Sequence, residues 1–275
     1  VYFEKALALS QKFGYPKIGV MCINNLGMFC WNNGEFKEAL DYFYQALEYS
    51  NKLYPSNDET KNTYLNNIGL IYQELKQHEK AIEFHNQALE IRLKYDRTKD
   101  IAGSYNNLAI CHKNLDKLEE AEKYINLAID YAKEADQPRF IYRFHDTLGN
   151  ILNLQGKYEQ AEEAYLIALE LPDDYKNKVS AQFKTLPNII DVYYNTSQFE
   201  KAKKAIAEAD NLIKQDSTLF NYSESFYILA AKTYYALQQP EKANVYFENY
   251  EKVKDSLFSK ENAQALADVE TKLKT

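Results

Sequence analysis

The most regular chemistry in this sequence belongs to three adjacent asparagine pairs. They are Asn24 and Asn25, Asn66 and Asn67, and Asn106 and Asn107, at intervals of 42 and 40 residues. Each side-chain amide offers both a donor and an acceptor, whereas asparagine is a poor helix former. Two interpretations of the pairs stay open. The amides bind the backbone of an extended peptide, or they tie adjacent helices together across a repeat interface.

Groups that could carry catalysis or bind a metal are scattered along the chain. The four histidines are His78, His85, His112 and His145. They fall at different points of the repeated pattern, without acidic or cysteine ligands at metal-binding spacing. The sequence contains no glycine-rich phosphate loop, nucleophile elbow or Cys-x-x-Cys motif. We therefore expect no catalytic residue, no metal site, no cofactor and no enzymatic activity.

The three cysteines, Cys22, Cys30 and Cys111, are odd in number. Cys22 and Cys30 lie on one predicted helix, about 12 Å apart along its axis. That separation is too large for a disulfide. The sequence therefore predicts buried free thiols.

The asparagine pairs belong to a longer repeat that is marked by one small residue. The marker positions are Gly27, Gly69, Ala109, Gly149, Ile190 and Ala231, spaced by 40 to 42 residues. In the first copy, apolar residues at helical spacing stop at Gly34 and resume at Phe36, which predicts a helix, a tight turn and a second helix. Gly34 can supply the left-handed backbone that ends the first helix. Such units stack because none of them buries its apolar face alone.

The best-matching copies show which family the repeat is similar to. They read NNLGMFCWNNGEFKEALDYFYQALE (24–48), NNIGLIYQELKQHEKAIEFHNQALE (66–90) and NNLAICHKNLDKLEEAEKYINLAID (106–130). This pattern resembles the tetratricopeptide repeat family, and the long period is similar to its kinesin light chain-like branch. The resemblance implies an all-α, right-handed α-solenoid of antiparallel helix pairs over residues 1–250. We expect a half repeat at 1–16 and six repeats starting near 20, 62, 102, 142, 182 and 223.

The pattern departs from the family late in the chain. Ile190 replaces the small residue, and Pro187 falls inside a predicted first helix. Proline removes a backbone hydrogen bond, so we expect the helix to kink or restart there.

The resemblance implies that the first helices line a concave groove for a protein or peptide ligand. The predicted groove residues are Asn24, Asn25, Trp31, Asn66, Asn67, Asn106, Asn107, Lys113, Arg143, Asp146, Lys184, Tyr194, Lys232 and Tyr235. The aromatic residues among them are expected to be anchors, although Trp31 packing against the preceding helix is an equal alternative. The basic ones favour an acidic peptide or a carboxylate terminus, and ordinary solvated charges are the alternative.

Composition limits the other partners. The net charge of the 275-residue chain is −7, with lysines interleaved among glutamates, which disfavours nucleic acid binding. No apolar run of 18 residues occurs, so no membrane span is expected within 1–275. A homodimer is also among the predicted partners.

The segment after the last repeat is similar to a tail found in a group of Bacteroidetes sensor proteins. The matching residues are Asp255, Ser256, Leu257, Phe258, Glu261, Ala267, Glu270, Thr271 and Lys272. In that group a periplasmic repeat array leads through a membrane helix to a histidine kinase or a DNA-binding effector. The resemblance implies a periplasmic sensor region with a linker helix at 251–275. The alternative is a free-standing cytoplasmic scaffold in which this helix caps the array. The helical pattern is already running at Val1 and still running at Thr275, so we expect the parent chain to continue at both ends.

Overall fold

The computed structural model describes residues 2–53 and 59–273, with side chains as far as Ser256, and this part of the chain is helical without strands. The helices are α1 (Tyr2–Phe13), α2 (Pro16–Asn32), α3 (Phe36–Leu53), α4 (Lys61–Glu74), α5 (His78–Lys94), α6 (Thr98–Asn114), α7 (Leu118–Glu134), α8 (Pro138–Leu154), α9 (Tyr158–Leu169), α10 (Lys178–Asn195), α11 (Phe199–Gln215), α12 (Glu224–Ala236) and α13 (Pro240–Leu273). A 3₁₀ helix, Ser217–Tyr222, lies before α12.

Helix contacts divide the chain into two compact units, Val1–Ile151 and Leu152–Thr275. In the first unit, α2 pairs with α3, α4 with α5, and α6 with α7. The second helices α3 and α5 also pack against the following first helices, α4 and α6. In the second unit, α10 packs on α9 and α11, and α12 packs on α13. The prediction of an all-α stack of antiparallel helix pairs is confirmed.

A residue in left-handed conformation ends each complete first helix. Gly34 has φ of 79°, which confirms the prediction for that turn. The corresponding residues, seven after each marker position, are Lys76, Asp116, Gly156, Ser197 and Gln238. In the first turn, the Glu35 amide donates to the Cys30 carbonyl at 2.9 Å, and the Gly34 amide donates to the Trp31 carbonyl at 2.9 Å. These bonds close the helix end in a Schellman arrangement, so the turn survives even where glycine is replaced.

The expected restart at Pro187 is wrong. α10 runs without interruption from Lys178 to Asn195, and Pro187 is buried together with Leu186 and Ile189. Because both flanks of the proline are packed into the core, the helix tolerates the missing hydrogen bond.

The helices of a pair approach most closely at the marker residue. A Cβ on Gly27 would lie 2.7 Å from the Phe43 ring, and a Cβ on Gly69 would lie 2.7 Å from the His85 ring. In the third pair the marker is Ala109, and the facing second-helix position holds the smaller Ile125, which is wholly buried. The marker is therefore glycine where a ring faces it, because a Cβ at the marker and the ring would occupy the same space.

The glycines supply a matched test of this packing. Gly69→Ala is expected to cost about 1 to 3 kcal/mol in the free energy of unfolding, because the new methyl group overlaps the His85 ring. Gly103 lies inside α6, and a Cβ there would meet nothing within 4 Å. Gly103→Ala is therefore expected to stabilise the protein by about 0.5 to 1 kcal/mol. Urea unfolding of both variants measures the difference, and equal effects would contradict the packing argument.

The last helix runs from Pro240 to Leu273 across the predicted division at 250/251. The matching tail residues from Leu257 onward lie outside the residues whose side chains are described. The division of the chain into an array and a linker therefore stays a prediction. None of the helices within residues 2–53 and 59–273 has the length and apolar character of a membrane span.

Candidate functional site

The first unit contains a cavity of about 440 Å³ beside the helices α2 and α4. It is lined by Met21, Asn24, Asn25, Glu59, Thr60, Asn62, Thr63, Tyr64 and Arg97. Helices α2 and α4 supply three amide side chains to the lining, which also contains three hydroxyl groups and the charged side chains of Glu59 and Arg97. The volume falls within the range usual for ligand pockets, and the lining groups can both donate and accept hydrogen bonds.

The asparagine pairs form a row of hydrogen bonds between successive first helices. Asn67 Nδ2 donates to Asn24 Oδ1 at 3.0 Å, and Asn107 Nδ2 donates to Asn66 Oδ1 at 3.2 Å. Thr147 Oγ1 continues the row with a 3.2 Å bond to Asn106 Oδ1. These are the bonds that the second interpretation of the pairs predicts. Ligand binding by the same amides stays a prediction.

Asn25 stands at the start of this row. It lines the cavity and is half-buried. Within the described part of the chain, its side chain has none of the bonds that Asn67 and Asn107 make to a preceding first helix. Its amide is therefore available to a group from outside the unit.

A buried arginine that was not predicted from the sequence holds one of the side chains that line the cavity. Arg92 on α5 is 7% exposed. Its Nε donates to Asn62 Oδ1 at 3.0 Å, and its Nη1 donates to Ser104 Oγ at 2.6 Å. The same Nη1 reaches the Asp100 carbonyl at 3.1 Å and Asn66 Oδ1 at 3.4 Å. Arg92 thus connects α4 with α6 and holds the cavity residue Asn62 in place.

The acceptors of Arg92 are neutral, so its charge is poorly compensated. Burial lowers the pKa of Arg92, and the nearby Asp100 only partly opposes this effect. The corresponding positions near the ends of α3 and α7 hold the small residues Ser50 and Ala132. Arg92 is therefore a long cationic side chain at a repeat position that holds small residues in the neighbouring repeats. This contrast is the sequence signal that could have identified it.

The charges at the rim of the cavity are balanced. Arg97 Nη1 lies 3.0 Å from Glu59 Oε1, and Arg97 Nη2 lies 2.7 Å from Asp100 Oδ2. The hydrogen bond with Glu59 and the charge of Asp100 raise the pKa of Arg97. The rim therefore gives the cavity polar character without a strong preference for either sign of charge.

The remaining predicted residues of the first unit lie outside this cavity. Trp31 is half-buried and packs on the apolar cluster around Phe43. Lys113 is half-buried, and desolvation lowers its pKa against the opposing charge of Asp146. Arg143 is exposed, with its guanidinium 5.1 Å from the Phe140 ring centre.

Four predicted residues belong to the second unit. Lys184 and Lys232 are exposed on α10 and α12. Tyr194 packs edge-on against Phe199 at a ring distance of 6.0 Å. The Tyr235 hydroxyl donates to Asn244 Oδ1 on α13.

His85 and the three cysteines are all buried side chains. His85 is wholly buried, and neither ring nitrogen has a hydrogen-bond partner in the described residues. Desolvation, followed by the charge of Arg92, lowers its pKa to about 3. The cysteines are free and buried, as predicted, and burial raises the pKa of both Cys30 and Cys111 to about 11. Within the described residues, no group of three or more His, Cys, Asp or Glu is placed to hold a metal.

Comparison with solved structures shows the same fold in other proteins. BtubC from P. vanneervenii has a TM-score of 0.69 and 20% identity, covering 78% of this chain and 89% of its own. The apo form of the quorum sensor NprR from B. thuringiensis has a TM-score of 0.65 and 20% identity, covering 91% and 81%. NprR in complex with its cognate peptide NprX has a TM-score of 0.60 and 21% identity, covering 95% and 75%. No curated protein sequence matches the chain.

Family models locate the repeats directly in the sequence. Residues 19–94 match one model, and residues 102–134 and 142–175 match a second. Both models are described as tetratricopeptide repeat, and together they match more than half of the chain. With the helix pairs and marker residues described above, these matches show that the chain belongs to the tetratricopeptide repeat family.

Proposed function

We propose that the first unit is a non-catalytic recognition domain that binds an extended peptide segment across its first helices. The observation that carries the proposal is the cavity beside α2 and α4, with its amide and hydroxyl lining. An extended peptide leaves its backbone N–H and C=O groups unpaired, and these are the groups that Asn and Thr side chains can satisfy.

The local electrostatics favour a ligand without high net charge. Arg97 is engaged by Glu59 and Asp100, and Arg92 is held behind Asn62. Hydrogen bonds to the peptide backbone, rather than ion pairs, would supply most of the polar recognition. The peptide complex of NprR, a protein of the same fold, supports this use of the fold.

Panning a phage-displayed library of random dodecapeptides on the purified protein tests the proposal. Selected peptides are synthesised with a fluorescent label, and their affinities are measured by anisotropy. Thr63→Tyr places a large ring in the cavity from an exposed position on α4. We expect it to weaken binding at least tenfold, which corresponds to about 1.4 kcal/mol.

The matched control is Gln87→Tyr on the exposed face of α5. It introduces the same ring away from the cavity, so peptide affinity should stay at the native value. Failure to enrich any peptide, or equal weakening by both variants, would contradict the proposal.

We further propose that peptide binding serves signal transduction and that the domain is the extracytoplasmic, periplasmic part of a sensor. The tail resemblance supports this extension, as does NprR, a quorum sensor of the same fold. A cytoplasmic scaffold is the competing proposal. The parent reading frame separates the two, because the sensor requires a secretion signal before the repeats and an apolar span of about 20 residues after them.

A further inference from the structure

One nitrogen of the buried Arg92 guanidinium has no hydrogen bond within the described residues. Nε donates to Asn62 Oδ1, and Nη1 donates to Asn66 Oδ1, Ser104 Oγ and the Asp100 carbonyl. Nη2, which carries two N–H groups, has no such partner. It is also not among the wholly enclosed unpaired side-chain atoms of these residues. Nη2 is therefore open to a group from outside the protein.

The buried charge of Arg92 has no carboxylate at ion-pair distance in the described part of the chain. Asp100 offers it a backbone carbonyl, whereas the Asp100 carboxylate lies 2.7 Å from Arg97 Nη2. The other acceptors of Arg92 are amide and hydroxyl oxygens. Arg92 is 7% exposed, and charged side chains are almost never so buried unless they are paired. A carboxylate from a ligand would supply the missing counter-charge, and it would accept stronger hydrogen bonds than a neutral oxygen does.

A missing side chain on α6 leaves room for such a group. Gly103 belongs to the helical turn whose two ends accept hydrogen bonds from Arg92. A Cβ on Gly103 would meet nothing within 4 Å, so packing against other elements does not require glycine there, although glycine weakens a helix interior. The corresponding residues of α2 and α4 are Met21 and Thr63, which both line the cavity. Gly103 therefore continues the cavity surface onto α6, without a side chain in the turn that Arg92 contacts.

We propose that Arg92 Nη2 binds one carboxylate of the ligand, in the space that the missing side chain of Gly103 leaves at the edge of the cavity. The site borders the cavity because Asn62, which lines it, is bonded to the same guanidinium. The site rests on the peptide binding proposed for the first unit, and it adds a chemical feature of the preferred peptide. The carboxylate comes from an Asp or Glu side chain or from the C-terminus of the peptide.

Peptides selected by panning test the carboxylate from the ligand side. Each is synthesised with its selected sequence, with Asp and Glu replaced by Asn and Gln, and with either a free or an amidated C-terminus. Loss of the decisive carboxylate should weaken binding at least tenfold in fluorescence anisotropy. A loss on side-chain replacement identifies Asp or Glu as the source, whereas a loss on amidation identifies the C-terminus. Equal affinities of the acidic and neutral forms would overturn the inference.

Gly103→Leu tests the protein side, because its side chain fills the space beside Arg92. It should abolish the difference in affinity between the carboxylate and amide forms of the peptide. Gln87→Leu on the exposed face of α5 is the control and should leave that difference unchanged. Arg92→Met should also abolish the difference, and Gly103→Leu keeps the test valid if Arg92→Met does not fold. Circular dichroism of Gly103→Leu should match that of the native protein, since the position is open.

Sodium acetate is a probe that does not depend on a peptide. The chain contains four arginines, so the guanidinium signals of the ¹⁵N-arginine-labelled protein can be followed individually by NMR. Acetate should shift the Arg92 Nη signals saturably, and sodium chloride at equal concentration should not. Arg139, which is exposed on α8, should respond equally weakly to both salts. Gly103→Leu should remove the response of Arg92.

The outcomes separate this carboxylate site from the proposed function. Peptides that bind without dependence on a carboxylate leave the proposed function intact and overturn the site. Acetate that shifts the Arg92 signals supports the site even if panning enriches no peptide, a result that contradicts the proposed function alone. If panning fails and acetate leaves the Arg92 signals unchanged, both are overturned. A carboxylate preference that survives in both Gly103→Leu and Arg92→Met would also overturn the assignment to Arg92.

Discussion

Replacing His85 by Phe is expected to stabilise the protein at neutral pH and to remove part of its sensitivity to mild acid. Neither ring nitrogen of this wholly buried side chain has a partner in the described residues. An unsatisfied buried polar group costs about 1 to 3 kcal/mol. A Cβ on Gly27 would approach the Phe43 ring as closely as a Cβ on Gly69 would approach the His85 ring, so the phenyl ring has a precedent at this crossing. We expect a gain of about 1 to 2 kcal/mol at pH 8.

The pH dependence follows from the lowered pKa of His85, about 3 compared with an ordinary value of 6.5. Between these two values the unfolded chain binds a proton that the folded chain does not. The free energy of unfolding therefore keeps the His85 contribution above pH 6.5 and falls as the pH drops below it. The slope is about 1.4 kcal/mol per pH unit, so about 2 kcal/mol is lost by pH 5.

Urea unfolding at pH 8, 6 and 5 measures this effect as a difference between variants. His112 is present in both the native protein and the His85→Phe variant. Burial, followed by the charge of Lys117, lowers the pKa of His112 as well. Phe43→His provides the reverse experiment, because it places an imidazole at the corresponding crossing of the preceding pair. It should increase the loss of stability in acid. The explanation fails if His85→Phe leaves the slope between pH 8 and pH 5 unchanged.

Arg92→Ala is expected to be the most destabilising single substitution considered for this protein. It removes a side chain that bonds four acceptors on α4 and α6. Two of these acceptors belong to Asn62 and Ser104, which are 2% and 0% exposed. Buried acceptors that lose their donor, together with the space left by the side chain, should cost about 3 kcal/mol.

Arg97→Ala is the matched control. Arg97 also makes ion pairs, but its side chain is 43% exposed. Exposed ion pairs contribute little, so this variant should lose less than about 1 kcal/mol. Combining Arg92→Ala with Ser104→Ala and Asn62→Leu should recover part of the loss, since fewer buried acceptors are left unpaired. Thermal and urea unfolding provide the readout, and similar losses for Arg92→Ala and Arg97→Ala would contradict the assigned network.

His85→Phe and Arg92→Ala both change helix α5, which carries these two buried basic side chains seven residues apart. His85 faces Gly69 of α4, and Arg92 joins α4 to α6. Of these two side chains, Arg92 is bonded to Asn62, which lines the cavity. A change in peptide occupancy that moved Asn62 would act first on Arg92, because the two side chains are bonded at 3.0 Å.

The sequence predicted the repeated helix pairs because their cause is local. Apolar spacing, the small marker residue and the turn at Gly34 recur within each copy and are independent of distant parts of the chain. The expected restart at Pro187 did not occur, because buried packing kept α10 continuous. The sequence also predicted a left-handed turn residue only for Gly34, although Lys76 and Asp116 adopt the same conformation.

The sequence by itself thus determined the repeat and its phase, whereas ligand binding on the first helices stays a prediction. Only the tertiary structure decided what each polar side chain does there. It joined Asn67 to Asn24, bonded Arg92 to Asn62, and left the ring nitrogens of His85 without a hydrogen-bond partner among the described residues. The physical reason is that helix formation depends on neighbours in the chain, whereas hydrogen bonding and burial depend on how closely separate helices cross. That distance is set by the volumes of side chains some 16 or 40 residues apart, such as Gly69 with His85 and Asn24 with Asn67.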